Sequence, residues 1–313
     1  MSRAFYFEGW YFKCSTEEDT IVIIVGRARE RVEEAFIQII RSGDNRSYYI
    51  PYSLDCFKYT QEPFTLQIGK SIFKEEYMQL DIESPSITLK GALYFDTFTK
   101  LPQQFLQKGL MGPFGYLPFM ECYHDVLSMG HTLWGQLRLN STPMNFAGGK
   151  GYVESDWGNS FPKSYLWMQC NHFKQGSLSV MLAVADIPFL GCNFRGFLCV
   201  ISIENQTRIF ATYTGAQIEE IKIEDQSAVV QIKQGQEIIR IKTKYDKGHM
   251  LKAPNKGAMR ETVYETLEGT MKIQIYHHEV LKVDQVGDRV AFERVGKVEE
   301  TTHKMGYAKH INR

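Results

Sequence analysis

Residues 227–245, SAVVQIKQGQEIIRIKTKY, alternate apolar and polar side chains with a period of two. That period places one face of an extended strand in a core and the other in water, and it does not fit the stripe of an amphipathic helix. The same pattern recurs in LSVMLAVADIP (178–188), FRGFLCVISIE (194–204), TRIFATYTG (207–215), IEEIKIE (218–224) and TMKIQIYHH (270–278). Earlier in the chain YYIPYSL, FTLQIGKSIF, MQLDIE and SITLKGALYF read as short strands separated by turn chemistry. Such spacing predicts antiparallel meanders that close into barrels, so the expected fold class is all-β. EVLKVDQVGDRVAFERVG, at the end, reads as two further strands around Gly287-Asp288.

Three stretches depart from the pattern. RARERVEEAFIQII (27–40) has helical propensity through Glu, Arg and Ala, but it lies between two β segments, and AFIQII is assigned to a strand ending at Ser42-Gly43-Asp44. TIVIIVGR (20–27) is apolar without alternation and reads as a strand buried on both faces. KLPQQFLQKGLMGPFGYLPF (100–119) carries Pro102, Pro113 and Pro118 and predicts a short helix followed by an aromatic lid or linker. Its Gly109, Gly112 and Gly115 do not follow a strand and open a helix, so a phosphate loop is rejected. The end of this aromatic loop suggests a domain boundary near residue 129, giving units 1–129 and 130–313.

Length allows one large or two medium domains: the chain has 313 residues. Lys+Arg and Asp+Glu balance at 36 each, without the basic excess typical of a nucleic-acid binder. The N-terminus MSRAFYFEGWYFK has no apolar signal core and no transit peptide, and no apolar run approaches membrane-spanning length. A cytoplasmic protein is therefore expected. The six cysteines show no zinc spacing, so free thiols are expected.

The richest stretch is 148–173, GGKGYVESDWGNSFPKSYLWMQCNHF. It combines Glu154 and Asp156 with Trp157 and Trp167 and with neutral hydrogen-bonding residues. YLWMQCNHF alternates and reads as a strand; the part before it reads as a short strand entering an irregular loop. Acids beside indoles and amides at such a junction suit a pocket, while tryptophans in a core and acids capping turns account for the same residues. Gln169 and Asn171 lie two apart on one strand face, and His172 points the other way. His277-His278 cannot easily chelate one ion, because adjacent strand residues face opposite sides, and no metal is expected.

The chain resembles the tocopherol cyclase family. FEGWYFK (7–13), IGKSIFKEEYMQLDI (68–82), MGPFGYLPFMECYHDVLSMGH (111–131), GYVESDWGNSFPKSYLWMQCNHF (151–173) and LKAPNKGAMRETVYETLEGTMKIQI (251–275) match its blocks in order. The resemblance is to a bacterial-type member without a transit peptide. It implies two packed lipocalin-like antiparallel barrels and cofactor-free closure of a chromanol ring on a prenylated hydroquinone. It makes Glu154 the expected proton donor, since plant members keep Glu there. Asp156, where the plant pattern has Asn, and Glu121 are further candidates for catalysis. Gln169 and Asn171, shared with the plant pattern, are expected to bind substrate, with Glu8, Trp10, Trp157 and Trp167. Gly9-Trp10 also resembles the start of lipocalin barrels, where the Trp closes the floor. Trp10 followed by TIVIIVGRA, and Trp167 followed by LSVMLAVAD, suggest two barrels with related opening hairpins.

The chemistry sets requirements on the site. An alkene is a very weak base, so its proton must come from a neutral carboxylic acid, which apolar burial supplies by raising the carboxyl pKa. Aromatic faces stabilise the resulting cation, and a second polar group orients the phenol and accepts its proton. Two other readings start from the same residues: a carrier of a hydrophobic ligand, and an enzyme adding water to an isoprenoid double bond. In each the expected partner is an apolar small molecule, and transient membrane contact would come from the aromatic 105–120 loop.

Overall fold

The computed structural model describes residues 6–30, 33–102, 109–118, 120–189, 192–204 and 206–298. Twelve strands build the first sheet: β1 (Tyr6–Ser15), β2 (Thr20–Arg29), β3 (Glu33–Arg41), β4 (Ser47–Tyr52), β5 (Phe57–Thr60), β6 (Thr65–Ile68), β7 (Ser71–Lys74), β8 (Tyr77–Glu83), β9 (Thr88–Phe95), β10 (Cys122–Leu139), β11 (Thr142–Asn145) and β12 (Gly149–Gly158). Eleven build the second: β13 (Tyr165–Cys170), β14 (His172–Phe173), β15 (Leu178–Phe189), β16 (Cys192–Ile203), β17 (Gln206–Ala211), β18 (Gln217–Glu224), β19 (Ser227–Gln234), β20 (Glu237–Lys244), β21 (His249–Asn255), β22 (Ala258–His277) and β23 (Val280–Val295). All described pairings are antiparallel, and each sheet wraps its own apolar core. The protein is all-β, two lipocalin-like barrels packed together.

The ambiguous segment after residue 27 is strand, as β-neighbours on both sides require. The closing segment is one long strand, β23, running through Gly287. In the aromatic loop the described part is a 3₁₀ segment, Gly109–Tyr116; residues 103–108 and 119 of the expected helix and lid lie outside the described residues. The boundary expected near residue 129 falls inside β10. That strand pairs with both β9 and β12, which holds it in the first sheet, and the chain changes sheet between Gly158 and Tyr165. No described helix is long and apolar enough to cross a membrane.

Alternation decides which residues face each barrel's lumen. On β1, Trp10, Phe12 and Cys14 enter the first core, whereas Tyr11 faces outward into a third cluster shared by both barrels. On β2, Ile21, Ile23 and Val25 face the lumen and Val22 and Ile24 the second barrel, so this strand is apolar throughout. β13 behaves likewise: Leu166 and Met168 line the second core, and Tyr165 and Trp167 the shared cluster. The two opening hairpins are thus related in sequence, but their tryptophans differ in role. Trp10 is 2 % exposed and packs on Phe57 and Tyr59, with ring centroids 6.2 and 4.5 Å away. Trp10→Ala is expected to cost about 3–5 kcal/mol of unfolding free energy, read as a lower urea midpoint.

Polar bonds also cross between the barrels. Lys13 Nζ donates to Gln169 Oε1 at 2.8 Å, and Asn171 Nδ2 donates to the Gly151 carbonyl at 2.8 Å. Gln38 pairs with the Lys252 backbone through both its amide atoms, at 2.9 and 2.8 Å.

Candidate active site between the barrels

Where the outward faces meet, a cavity of about 200 Å³ opens. The first barrel contributes Tyr11, His124, Glu154 and Asp156 to its wall, and the second contributes Trp167 and Glu293. Strand register explains why these residues converge. Tyr11 stands opposite Glu154 across β1 and β12, and Asp156 stands opposite His124 across β12 and β10. On the facing sheet, Trp167 stands opposite Glu293, and Glu293 opposite Glu265. Two cross-strand rows, one per barrel, therefore confront each other.

Each of three buried carboxyls accepts a tyrosine hydroxyl. Tyr152 donates to Glu154 Oε2 at 2.6 Å, Tyr165 to Glu293 Oε2 at 2.8 Å, and Tyr11 to Glu265. Glu154 is 5 % exposed. Burial pushes its carboxyl up to about 8; Asp156 pushes the same way, and His124 and the Tyr152 hydroxyl only partly oppose it. Glu293 is raised to about 7, again chiefly by burial. Glu265, fully buried, is raised well above the ordinary carboxyl range by burial and by Glu293. At neutral pH these surroundings hold Glu154 and Glu265 mainly as neutral acids.

His124 works in the opposite sense. Its Nδ1 lies 2.8 Å from Asp156 Oδ1, and its Nε2 lies 3.7 Å from Glu154 Oε2. Burial lowers the imidazole pKa, but Asp156 and Glu154 outweigh it and raise it to about 9. An imidazolium paired with Asp156 thus sits beside the Glu154 acid, and Nε2 has no hydrogen-bond partner. His124, Glu154 and Asp156 each bring a ligand atom within 4.8 Å of the others, close enough for one cation.

Of the residues singled out in the sequence, Glu154, Asp156, Glu121 and Trp167 line the cavity. The others are not among its lining residues. Trp10 faces a barrel core, and Glu8, on the same face of β1, is ion-paired to Arg27 at 2.7 Å. Trp157 stacks on Tyr123 at 5.5 Å. Gln169 is fully buried against Lys13, and Asn171 is turned to Gly151. Alternation is the physical reason: Glu8 and Trp10 fall on the opposite strand face from Gly9 and Tyr11, which do line the cavity.

The sequence profile of a family described as tocopherol cyclase-like matches residues 96–299, about two thirds of the chain. The chain belongs to the tocopherol cyclase-like family. The matched span contains the blocks at 111–131, 151–173 and 251–275, and the blocks at 7–13 and 68–82 lie before it. A protein of Oryza sativa subsp. japonica named probable tocopherol cyclase, chloroplastic, is 30 % identical over 79 residues, a match covering 25 % of this chain and 17 % of the rice protein. Among solved structures, kievitone hydratase from Nectria haematococca superposes with a TM-score of 0.55 at 14 % identity, covering 92 % of this chain and 88 % of that one. CghA superposes with a TM-score of 0.58 at 10 % identity, covering 93 % and 88 %. These two likenesses are of fold.

In this member of the tocopherol cyclase-like family, sequence reasoning passed over Tyr11, Tyr152, Tyr165, Glu265 and Glu293. The tyrosines lay within quoted blocks as ordinary strand residues. Glu265 and Glu293 carried one usable signal: an acid at a position where alternation calls for an inward or packed side chain. Gly151 and Gly158, which bracket the acids, have steric roles. A Cβ at Gly151 would meet the His131 ring at 2.1 Å, and one at Gly158, where φ is +151°, would meet the Glu121 carbonyl at 2.2 Å.

Proposed function

We propose that the inter-barrel cavity binds a prenylated hydroquinone and that Glu154 protonates its side-chain double bond, so that the phenol oxygen closes a chromanol ring. The observation that carries this reading is the Glu154 carboxyl, buried at an apolar cavity and held protonated at neutral pH. Transfer of its proton to the alkene leaves a tertiary cation and a carboxylate. Tyr11 and Trp167, whose rings meet edge to face at 5.4 Å, provide aromatic surface for the cation.

The carboxylate is met by groups already in place. The Tyr152 hydroxyl donates to Glu154 Oε2, and the unpaired His124 Nε2–H is 3.7 Å from the same oxygen. Both interactions strengthen as charge develops on that oxygen, so they favour the transition state over the ground state. Asp156 fixes the imidazole through Nδ1. The family supports cyclisation, and the fold likeness to a hydratase keeps water addition as the alternative outcome.

The test is native mass spectrometry of protein purified from its own host, followed by lipid extraction and incubation with prenylated hydroquinones. A bound prenyl quinol or chromanol, and a product of unchanged mass, are expected. A product heavier by one water would make the protein a hydratase. A different apolar ligand recovered unchanged, with no turnover, would make it a carrier.

A further inference from the structure

We propose that Trp167 and Glu293 form the subsite for the substrate's reacting hydroxyl, with the Trp167 indole N–H donating to the phenol oxygen and the Glu293 carboxylate taking its proton. This assignment rests on the reading of the cavity as a cyclase site. Trp167 is buried and lines the cavity, yet its Nε1 has no hydrogen-bond partner among the described residues. An unpaired buried indole N–H costs stability, so it marks a place where an acceptor belongs. Glu293 is the direct cross-strand neighbour of Trp167 and also lines the cavity. It lies deep in the protein but is not closed over, unlike Glu265 beside it. Tyr165 holds its Oε2, which fixes the carboxyl. A donor and an acceptor side by side match a hydroxyl, which is both.

The placement suits the reaction. Glu154 stands on the first barrel and the Trp167–Glu293 pair on the second, so a bound substrate lies between acid and base. The O–H bond of Glu154 breaks as a C–H bond forms at the alkene. The phenol oxygen then bonds to the tertiary carbon, and its proton passes to Glu293. One proton has moved from Glu154 to Glu293; its return through solvent as product leaves restores both groups without oxidant or reductant. Besides burial, the groups acting on Glu293 are Tyr165 on β13, through its hydroxyl, and Asp156 on β12; Glu265 on β22, Tyr11 on β1 and Glu154 on β12 feel the Glu293 charge in turn. His124 on β10 and Lys13 on β1 act on it through those acids.

The experiment compares wild type, Glu293→Gln and Trp167→Phe with a prenylated hydroquinone and with its methyl ether at the reacting hydroxyl. For turnover, Glu293→Gln is expected to lower kcat by ~100-fold or more. It should also abolish the acid limb of the pH profile and leave the alkaline limb. For binding, wild type should prefer the free hydroxyl over the ether by ~10-fold or more, since only the free hydroxyl can donate to the Glu293 carboxylate. Trp167→Phe should weaken binding of both compounds alike, by up to ~10-fold, because either oxygen accepts the indole N–H, and this binding readout does not depend on Glu293→Gln folding well. Wild-type turnover with an unchanged acid limb in Glu293→Gln, or undiminished binding of both compounds by Trp167→Phe, would overturn the subsite and leave the cyclase reading standing. Hydroxyl preference without any turnover would keep the subsite as a binding feature and reject its role as base. A wild type that binds neither compound would overturn both.

Discussion

Glu154→Gln is expected to lower kcat by about 10²–10⁴-fold, the range associated with a positioned general acid, in a protein that folds normally. The substitution is nearly isosteric. Its amide oxygen still accepts the Tyr152 hydroxyl bond, and a neutral acid is exchanged for a neutral amide, so little desolvation energy changes. What is lost is the transferable proton. The neighbouring Tyr11 and Tyr152 hydroxyls cannot replace it, being pushed well above the ordinary phenol range, chiefly by burial. Product formation in a single turnover, alongside an unchanged near-ultraviolet circular dichroism spectrum, makes the measurement. A fully active variant would remove Glu154 from the chemistry.

The second large effect concerns stability against pH, and its direction is the reverse of ordinary acid denaturation. Glu154 and Glu293 are raised from 4.5 to about 8 and about 7. The folded protein therefore keeps protons that the unfolded chain releases between these values. The stability this supplies is complete below pH 4.5 and is lost as pH rises through about 7 and 8. His124, raised from 6.5 to about 9, adds a loss of the same sign over its own window. Lys13 acts oppositely: burial lowers it from 10.5 to about 8, so stability recovers between those values. Since a tenfold change in acid strength corresponds to about 1.4 kcal/mol, the two glutamates together should account for a decline on the order of 8 kcal/mol. Urea unfolding across this range, compared with a Glu154→Gln/Glu293→Gln double variant, isolates their share. A difference between the two proteins that stays flat with pH would contradict the burial of these acids in protonated form.

Much of the architecture was legible because alternation is a local property. The outer strands β18 to β20 alternate cleanly and read directly as sheet. The inner strand β2 reads as a continuous apolar run, and that very failure to alternate marks the face where one barrel meets the other. The acids of 151–173 were visible, since Glu154 and Asp156 lie on the strand that ends where the chain passes between barrels. Their partners were not. Glu293 reaches the cavity through a strand pairing 126 positions away from Trp167, and Glu265 reaches Tyr11 across 254. Pairings of that span are set by sheet closure and leave no mark in local spacing. The same limit misdirected Trp10 and Glu8, which share a block with the cavity residue Tyr11 but lie on the other face of its strand.

Both barrels fill their lumens with their own side chains, Phe12 and Phe73 in one and Met168 and Phe292 in the other, and the cavity lies outside both. A substitution that reshapes the ligand site is then a change to the outer wall of a barrel. It opens or closes space at a seam and leaves most of the packed interiors that supply folding energy untouched. In such an architecture new ligand preferences can accumulate at a small folding penalty. Seams between stable units are where a lineage can explore chemistry, and this one already holds the acids.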